Sequence, residues 1–192
     1  MITLPHDWNT VVPAGQMKRV KAGGYVGKVV NARLESSPYG DKLTFALDIT
    51  EGEFKDYYKS RFAEKKERDP NAAWPCKFST FLTTQDGSTS RMFKGAIVAI
   101  EKSNTGFTFW GDEKALIGKS VGIVFGEEEF KGTSGDILTA VKPRYLCSVE
   151  SIRNCEYDIP AKKTLAPSSN DLLSSLAASG KLEIVEDDEL PF

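Results

Sequence analysis

The chain has 192 residues, with 25 Lys plus Arg against 27 Asp plus Glu and a formal net charge of −2. Its hydrophobic (40%) and charged (27%) fractions are those of an ordinary globular protein, no stretch approaches the ~20 apolar residues of a membrane helix, and Met1–Trp8 lacks the basic-then-apolar order of a secretory signal. Cys76, Cys147 and Cys155 are odd in number and show no C-x-x-C spacing, which argues against a disulfide framework or a zinc site and fits a reducing cytoplasm.

Residues 1–16 carry Pro5, Pro13 and Gly15 with little periodicity and read as an irregular arm. From Gly24 the pattern is β. Val26, Val30, Ala32 and Leu34 alternate with a mixed face, Lys28 being the exception on the apolar side. Ser36 to Asp41 is a turn cluster. In the next strand Leu43, Phe45, Leu47 and Ile49 alternate with Thr44, Ala46 and Asp48. A third strand is expected over Phe54 to Lys59. Residues 60–73 are charged, contain Pro70 and lack an apolar stripe, so they read as a short helix or mobile loop inserted in the sheet. Trp74 to Leu82 reads as strand again.

Ser90 is the expected N-cap of a helix running to Ser103, with Phe93, Ile97 and Ile100 on one face and Met92, Ala96 and Ala99 beside it. Asn104-Thr105-Gly106 ends it. Lys119 to Phe125 is a strand, Glu127 to Gly135 a long hairpin loop, and Asp136 to Val149 the last strand, with Pro143 marking a bulge or an edge. After Tyr157 the composition thins to a linker. Within it Asn170 is placed to cap a short helix, Asp171 to Ser179, ended by Gly180.

With Phe54–Leu82 counted as one interrupted strand, the order is three strands, a helix and two strands. That is the order of the five-stranded OB barrel, whose ligand sits on the strand 2–3 face and on the loops joining strands one to two and four to five. The expected fold is therefore mainly β: a five-stranded OB-type barrel with one helix between strands 3 and 4, an inserted charged segment and a disordered acidic C-terminal tail. The expected divisions are an arm over 1–16, the barrel over 17–157, a linker over 158–180 and the tail over 181–192.

Charge is distributed unevenly. Residues 164–192 hold six acids against one base, and residues 1–163 hold 24 bases against 21 acids. A mildly basic body with a strongly acidic appendage suits a polyanion-binding domain. The last ten residues, E-I-V-E-D-D-E-L-P-F, end on an exposed aromatic that does nothing for solubility. Asp187, Asp188, Glu189, Leu190, Pro191 and Phe192 suit a partner pocket that is apolar at its base, ringed with cations, and able to hold the α-carboxylate.

This tip closely resembles the C-terminal peptide of bacterial single-stranded-DNA-binding proteins, which ends in several Asp followed by an apolar residue, Pro and Phe. The body resembles the single-stranded-DNA-binding proteins encoded by phages of Gram-positive bacteria. A-G-G-Y-V (22–26), D-I-T-E-G-E-F-K-D-Y-Y (48–58), F-K-G-A-I-V-A-I-E-K-S-N (93–104) and G-K-S-V-G-I-V-F-G-E-E-E-F (118–130) carry the resemblance, which covers most of residues 20–155. It implies an OB-type domain coating single strands in replication or recombination, with the tip recruiting replication, recombination or repair proteins. The insert at 60–75 departs from the compact layout of the cellular bacterial protein, so that family's tetramer is not carried over; a homo-oligomer is left open.

Binding single strands without sequence preference needs cations for phosphates and rings for unstacked bases. The chain interleaves both. Tyr57, Lys59 and Arg61 form one candidate group. Trp74, Lys77 and Phe78 form another, with Phe81 beyond. Tyr39 with Lys42 in the first loop and Phe130 with Lys131 in the last form a third, and Arg33 adds a cation from the first strand. Phe45, Phe93 and Phe125 are core, and Phe107, Phe109 and Trp110 are expected to pack inward as well. Glu127-Glu128-Glu129 fits a DNA-binding loop poorly, because three like charges repel phosphate.

Signals for catalysis are weak. His6, the one histidine, lies in the arm, and no nucleophile constellation can be built on it. Gly118-Lys119-Ser120 ends like a phosphate loop but has Glu113 where glycine is needed. Asp48, Glu51 and Glu53 fall on different faces of a strand and make a poor magnesium site. No enzyme activity, cofactor, metal or membrane partner is expected. The expectation is a cytoplasmic binder of single-stranded DNA. Its alternatives are a recombination mediator or strand-annealing factor, and a protein-interaction adaptor that binds no DNA.

Overall fold

The computed structural model describes residues 2–6, 8–9 and 18–165; the expected acidic tip and the Asp171–Ser179 helix lie outside them. Five strands pair antiparallel in the order β3-β2-β1-β4-β5, namely β1 (Gly23–Ser37), β2 (Gly40–Ile49), β3 (Lys77–Phe81), β4 (Ser120–Lys131) and β5 (Ile137–Cys147). The sheet is not closed. Its two edge strands, β3 and β5, approach each other without forming a ladder. Among the described residues there are three α-helices, α1 (Tyr57–Arg68), α2 (Arg91–Ser103) and α3 (Val149–Arg153), and no helix is long and apolar enough to cross a membrane.

The β2 alternation read from sequence holds. Leu43, Phe45, Leu47 and Ile49 all point inward and are buried. In β1 the phase changes where the register shifts between Val29 and Asn31. This bulge brings Val29 and Ala32, three residues apart, into the main core together, so no single alternation describes the strand; Leu34, further along, is exposed. Val26 faces the other way. It joins Val124 and Ile152 in a second cluster, with Tyr145, Val149 and Tyr157 packed beside it, on the side of the sheet covered by α3. That packing is close: a Cβ on Gly24 would come within 2.6 Å of Tyr157 and 2.7 Å of Ile152.

Ser90 caps α2 by accepting the Phe93 N–H, and the helix ends at Asn104, both as the sequence indicated. Ala96, Ile97, Ala99 and Ile100 are buried in the main core beneath the sheet. Met92, expected beside them, is exposed.

The expected strand over Phe54–Lys59 is a correction: Tyr57 to Lys59 open helix α1 instead. Gly52 (φ 78°) and Asp56 (φ 56°) reverse the chain through left-handed backbone. The buried Asp48 carboxylate then accepts the N–H groups of Ile49 (3.0 Å) and Tyr58 (3.1 Å), so a side chain of β2 meets a donor that the first turn leaves unsatisfied. The strand expected from Trp74 shrinks to Lys77–Phe81, since Pro75 has no N–H to continue the ladder.

β4 is longer than expected. Glu127, Glu128 and Glu129 lie in the strand and not in a loop, and only residues 132–136 turn the hairpin. Lys142, Arg144 and Lys163 reach Glu128, and Lys162 reaches Glu129, so two of the three acids are paired with their neighbours. β5 is an edge strand and also carries a register shift opposite Val124/Phe125, which meets the expectation at Pro143. It stops at Cys147; Ser148 accepts the Ser151 N–H and caps α3, so Val149 is helical. The Lys163 backbone bonds Glu127 and Glu129, which fastens residues 158–165 along β4.

Candidate nucleic-acid interface

The face of β1–β2–β3 that points away from the core is set by register. One cross-strand row is Glu35–Lys42–Phe81, the next Arg33–Thr44–Ser79, and the third Asn31–Ala46–Lys77. Three cations and one acid share this surface. Glu35 is engaged by Lys42 at 3.2 Å, which holds its carboxyl below the usual range. Arg33 and Lys77 are exposed and have no ion-pair partner among the described residues. Thr44 and Ser79 hydroxyls bond each other at 2.9 Å and give the middle row a polar floor. Phe81 is 41% exposed at the edge of this surface.

Tyr39 stands at the tip of the β1–β2 hairpin, 88% exposed. Its N–H donates to the Ser37 hydroxyl, which itself donates to the Gly40 carbonyl. Tyr39, Phe81 and Met92 line an open groove of about 990 Å³ with the hydroxyl-rich turn Thr83–Ser88. Asp86 is the acid in that lining. Hydrogen bonds from Thr84 and Ser88 bring its carboxyl down to about 2, so it stays charged.

A second groove of about 310 Å³ runs between α1 and the edge strand β5. It is lined by Arg19, Tyr57, Arg61 and Lys65 on one side and by Thr139, Ala140 and Val141 on the other, with Val20, Tyr58 and Pro75 completing it. The Arg61 guanidinium lies 5.8 Å from the centre of the Tyr57 ring. Lys59 is exposed elsewhere on α1.

Not every expected residue reaches a binding surface. Phe78 is a correction: it is 4% exposed and packs against Phe45 with ring centres 6.1 Å apart, so it belongs to the core. Trp74 is half-buried. Its indole N–H donates to the Leu47 carbonyl at 2.8 Å and its ring packs on Phe62 at 5.0 Å. Phe130 and Lys131 sit at the far end of the β4–β5 ribbon, paired with Leu138 and Ile137, away from the three cross-strand rows. Trp110, expected inside, is 90% exposed; Phe107 and Phe109 pack on the core, and Trp110 precedes the left-handed Gly111 (φ 95°). Asp187 to Phe192 lie outside the described residues.

Arg19, Lys65, Met92 and Trp110 were not among the expected site residues. For Arg19 no sequence signal existed, and Lys65 showed only as one charge of the 60–73 insert, because their meeting requires an arm, a helix and a strand to converge. Phe81 had one: its alternation with Ser79 and Lys77 opposes the inward Phe78 and Thr80.

Asp48 is a buried ionisable group of β2. Burial pushes its carboxyl up, against the pull of backbone donors from Tyr58, Ile49 and Lys59, and its second oxygen has no hydrogen-bond partner. Among the described residues no three His, Cys, Asp or Glu side chains come together as a metal site. No family model matches the chain, and no curated protein matches it either.

Proposed function

We propose that the chain is a non-enzymatic protein that binds single-stranded DNA without sequence preference, through an open OB-type barrel. What supports the barrel is the strand order, the helix between β3 and β4, and the approach of edges β3 and β5, which together fit a partly open five-stranded OB fold. The observation that carries the function is the outer face of β1–β2–β3. Arg33 lies in the polar Thr44–Ser79 row and Lys77 in the row on one side of it, while Lys42 and Phe81 share the row on the other side and Tyr39 caps the end. Cations track phosphates, and exposed rings take unstacked bases at roughly 1–3 kcal/mol each.

In this reading the acidic tip, Asp187 to Phe192, recruits replication, recombination or repair proteins in a bacterial or phage-infected cytoplasm. The test is anisotropy of a labelled oligo-dT over a salt series, with a duplex of equal length beside it. Tight, salt-sensitive binding to the single strand and weak binding to the duplex is the expected result. No binding in dilute buffer overturns the proposal, and accelerated pairing of complementary strands moves it to an annealing factor.

A further inference from the structure

The ladder between β1 and β4 ends at Lys28–Ser120, and Val29 then bonds Gly118 and Lys119 through its backbone. Beyond that point β1 packs beside a short 3₁₀ helix over Glu113–Leu116. A groove of about 550 Å³ lies between them, lined by Asn31 to Leu34 on one side and by Glu113, Lys114 and Ile117 on the other. Asn31 and Arg33 belong both to this groove and to two of the cross-strand rows of the outer sheet face, so the two surfaces share residues. Leu34 (46% exposed) and Ile117 (43%) give the groove apolar surface, Arg33 and Lys114 give it cations, and Glu113 is an acid in the same lining.

Trp110 stands three residues before this short helix and is 90% exposed. The backbone on both sides of it is held. Before it, Phe107 and Phe109 pack on the core, and the Phe109 N–H donates to the Glu101 carboxylate at 2.9 Å. After it, Gly111 turns the chain through left-handed backbone (φ 95°), and the Asp112 carboxylate accepts the Lys114 N–H at 2.9 Å. A bare indole on an anchored loop forgoes the burial that a large ring ordinarily gains on folding, and a flat partner that covers it restores that gain. Four residues of chain span at most about 14 Å, so the Trp110 backbone lies within that distance of Lys114. The groove begins at Asn31 and Arg33 of the sheet face and sets cations beside apolar surface, the combination that suits the phosphates and bases of a single strand.

We infer that the bound strand leaves the sheet over β1, crosses this groove and stacks a base on Trp110. Arg33 and Lys114 take phosphates along the groove, Leu34 and Ile117 take the apolar face of one base, and the indole takes the next. This site rests on the single-strand reading above, and it brings the connection between α2 and β4 into the interface.

The test uses the full chain and oligo-dT of about 16 nucleotides, the upper end for one OB fold. With the labelled oligomer, Trp110→Ala should lose about tenfold in affinity, within the range for one stacked base. Its slope of log K against log salt should not change, because no phosphate contact is removed. Lys114→Gln should lower that slope by about 0.7, the share of one single-strand phosphate contact. With the unlabelled oligomer, the tryptophan fluorescence of the wild type should be quenched. Trp110→Phe should abolish most of the quench while keeping most of the affinity, since an aromatic ring remains. Trp8→Phe, which removes another exposed indole, should leave the quench in place. The urea midpoint of Trp110→Ala should match wild type, since the ring is not part of the core.

Oligo-dT binding by Trp110→Ala as tight as that of wild type overturns the inference, and so does a quench that survives Trp110→Phe. A loss of affinity that comes with a smaller sedimentation mass overturns it too, in favour of a face that joins two copies of the chain. In each of these cases wild type still binds the single strand. If wild type binds none, the single-strand reading has failed and the Trp110 site falls with it.

Discussion

On the outer face of β1–β2–β3, Arg33 and Lys77 have no ion-pair partner among the described residues. On the β4–β5 ribbon, Lys142, Arg144, Lys162 and Lys163 are all engaged by Glu128 and Glu129. Both regions carry cations: three against one acid on the outer face, and three against three acids in β4 and β5, with Lys162 and Lys163 added alongside. They differ in whether the positive charge has already been answered. Lys162 lifts nothing towards phosphate while its ammonium sits 2.8 Å from Glu129, and Glu129 is held below the ordinary carboxylate range by that contact. Exposed ion pairs contribute only about 0–1 kcal/mol each to stability. Their main effect here is to cancel a field and to fasten residues 158–165 along β4. Net charge therefore says little about where a polyanion lands; the uncommitted fraction of it decides.

The largest expected effect comes from matched neutralisations of the two regions. Arg33→Gln with Lys77→Gln should weaken oligo-dT binding about a hundredfold at low salt and reduce the log–log salt slope by about 1.4, two contacts at about 0.7 each. Lys142→Gln with Lys163→Gln removes as much charge, yet should change affinity less than about threefold, because those cations are already satisfied. Equal losses from both pairs would erase the distinction between the regions. Next in size is Asp48, which separates folding losses from binding losses. Asp48→Ala leaves the buried N–H groups of Ile49 and Tyr58 without their acceptor and should cost about 2–3 kcal/mol in urea unfolding.

Asp48→Asn keeps that acceptor and removes a buried charge, so it should be neutral or stabilising at pH 7. The sign follows from burial, which raises the Asp48 carboxyl above its ordinary range in the folded state. Proton binding then favours the fold. Wild type should gain stability relative to Asp48→Asn as pH falls through the raised folded value, level off below the unfolded value of about 3.9, and lose that gain as pH rises again. A flat difference across this window would remove Asp48 as the source of any pH dependence.

Much of the fold was legible in the sequence because its signals are local. The β2 alternation, the Ser90 cap and the Asn104 stop each depend on a few adjacent residues, and each holds. The misreadings share a different cause. Phe54–Lys59 looks like strand, but a left-handed Asp56 and a carboxylate from β2 convert its second half to helix. Glu127–Glu129 looks like loop until cations from β5 and from residues 162–163 are brought alongside. Phe78 and Phe81 are alike in sequence terms and are sorted into core and surface by the phase of β3 alone. The site was legible as a set of residue types, and only the register and the position of α1 decide which of them meet.

Two phenylalanines of nearly equal exposure sharpen the comparison at smaller scale, Phe81 at 41% beside the sheet cations and Phe130 at 39% on the ribbon. Phe81→Ala should lower oligo-dT affinity by about 1–2 kcal/mol, within the range for one stacked base. Phe130→Ala should lower it by less, since it shares a face with Glu128, where Lys142, Arg144 and Lys163 are already paired. A larger loss at Phe130 than at Phe81 would shift the bound track to the ribbon.

The smallest expected effect concerns Trp74, whose ring is the one expected base-stacker already committed on both its polar and apolar sides. Its N–H serves the Leu47 carbonyl, and its face serves Phe62 of α1. Trp74→Phe retains an aromatic against α1 and removes the donor, so unfolding free energy should fall by about 1 kcal/mol, the usual net value of one hydrogen bond. Oligo-dT affinity should be unchanged. If affinity falls and stability does not, the indole must leave Leu47 to meet a base. The α1 attachment would then be part of the binding surface, and the line drawn between residues that build the sheet and residues that use it would have to move.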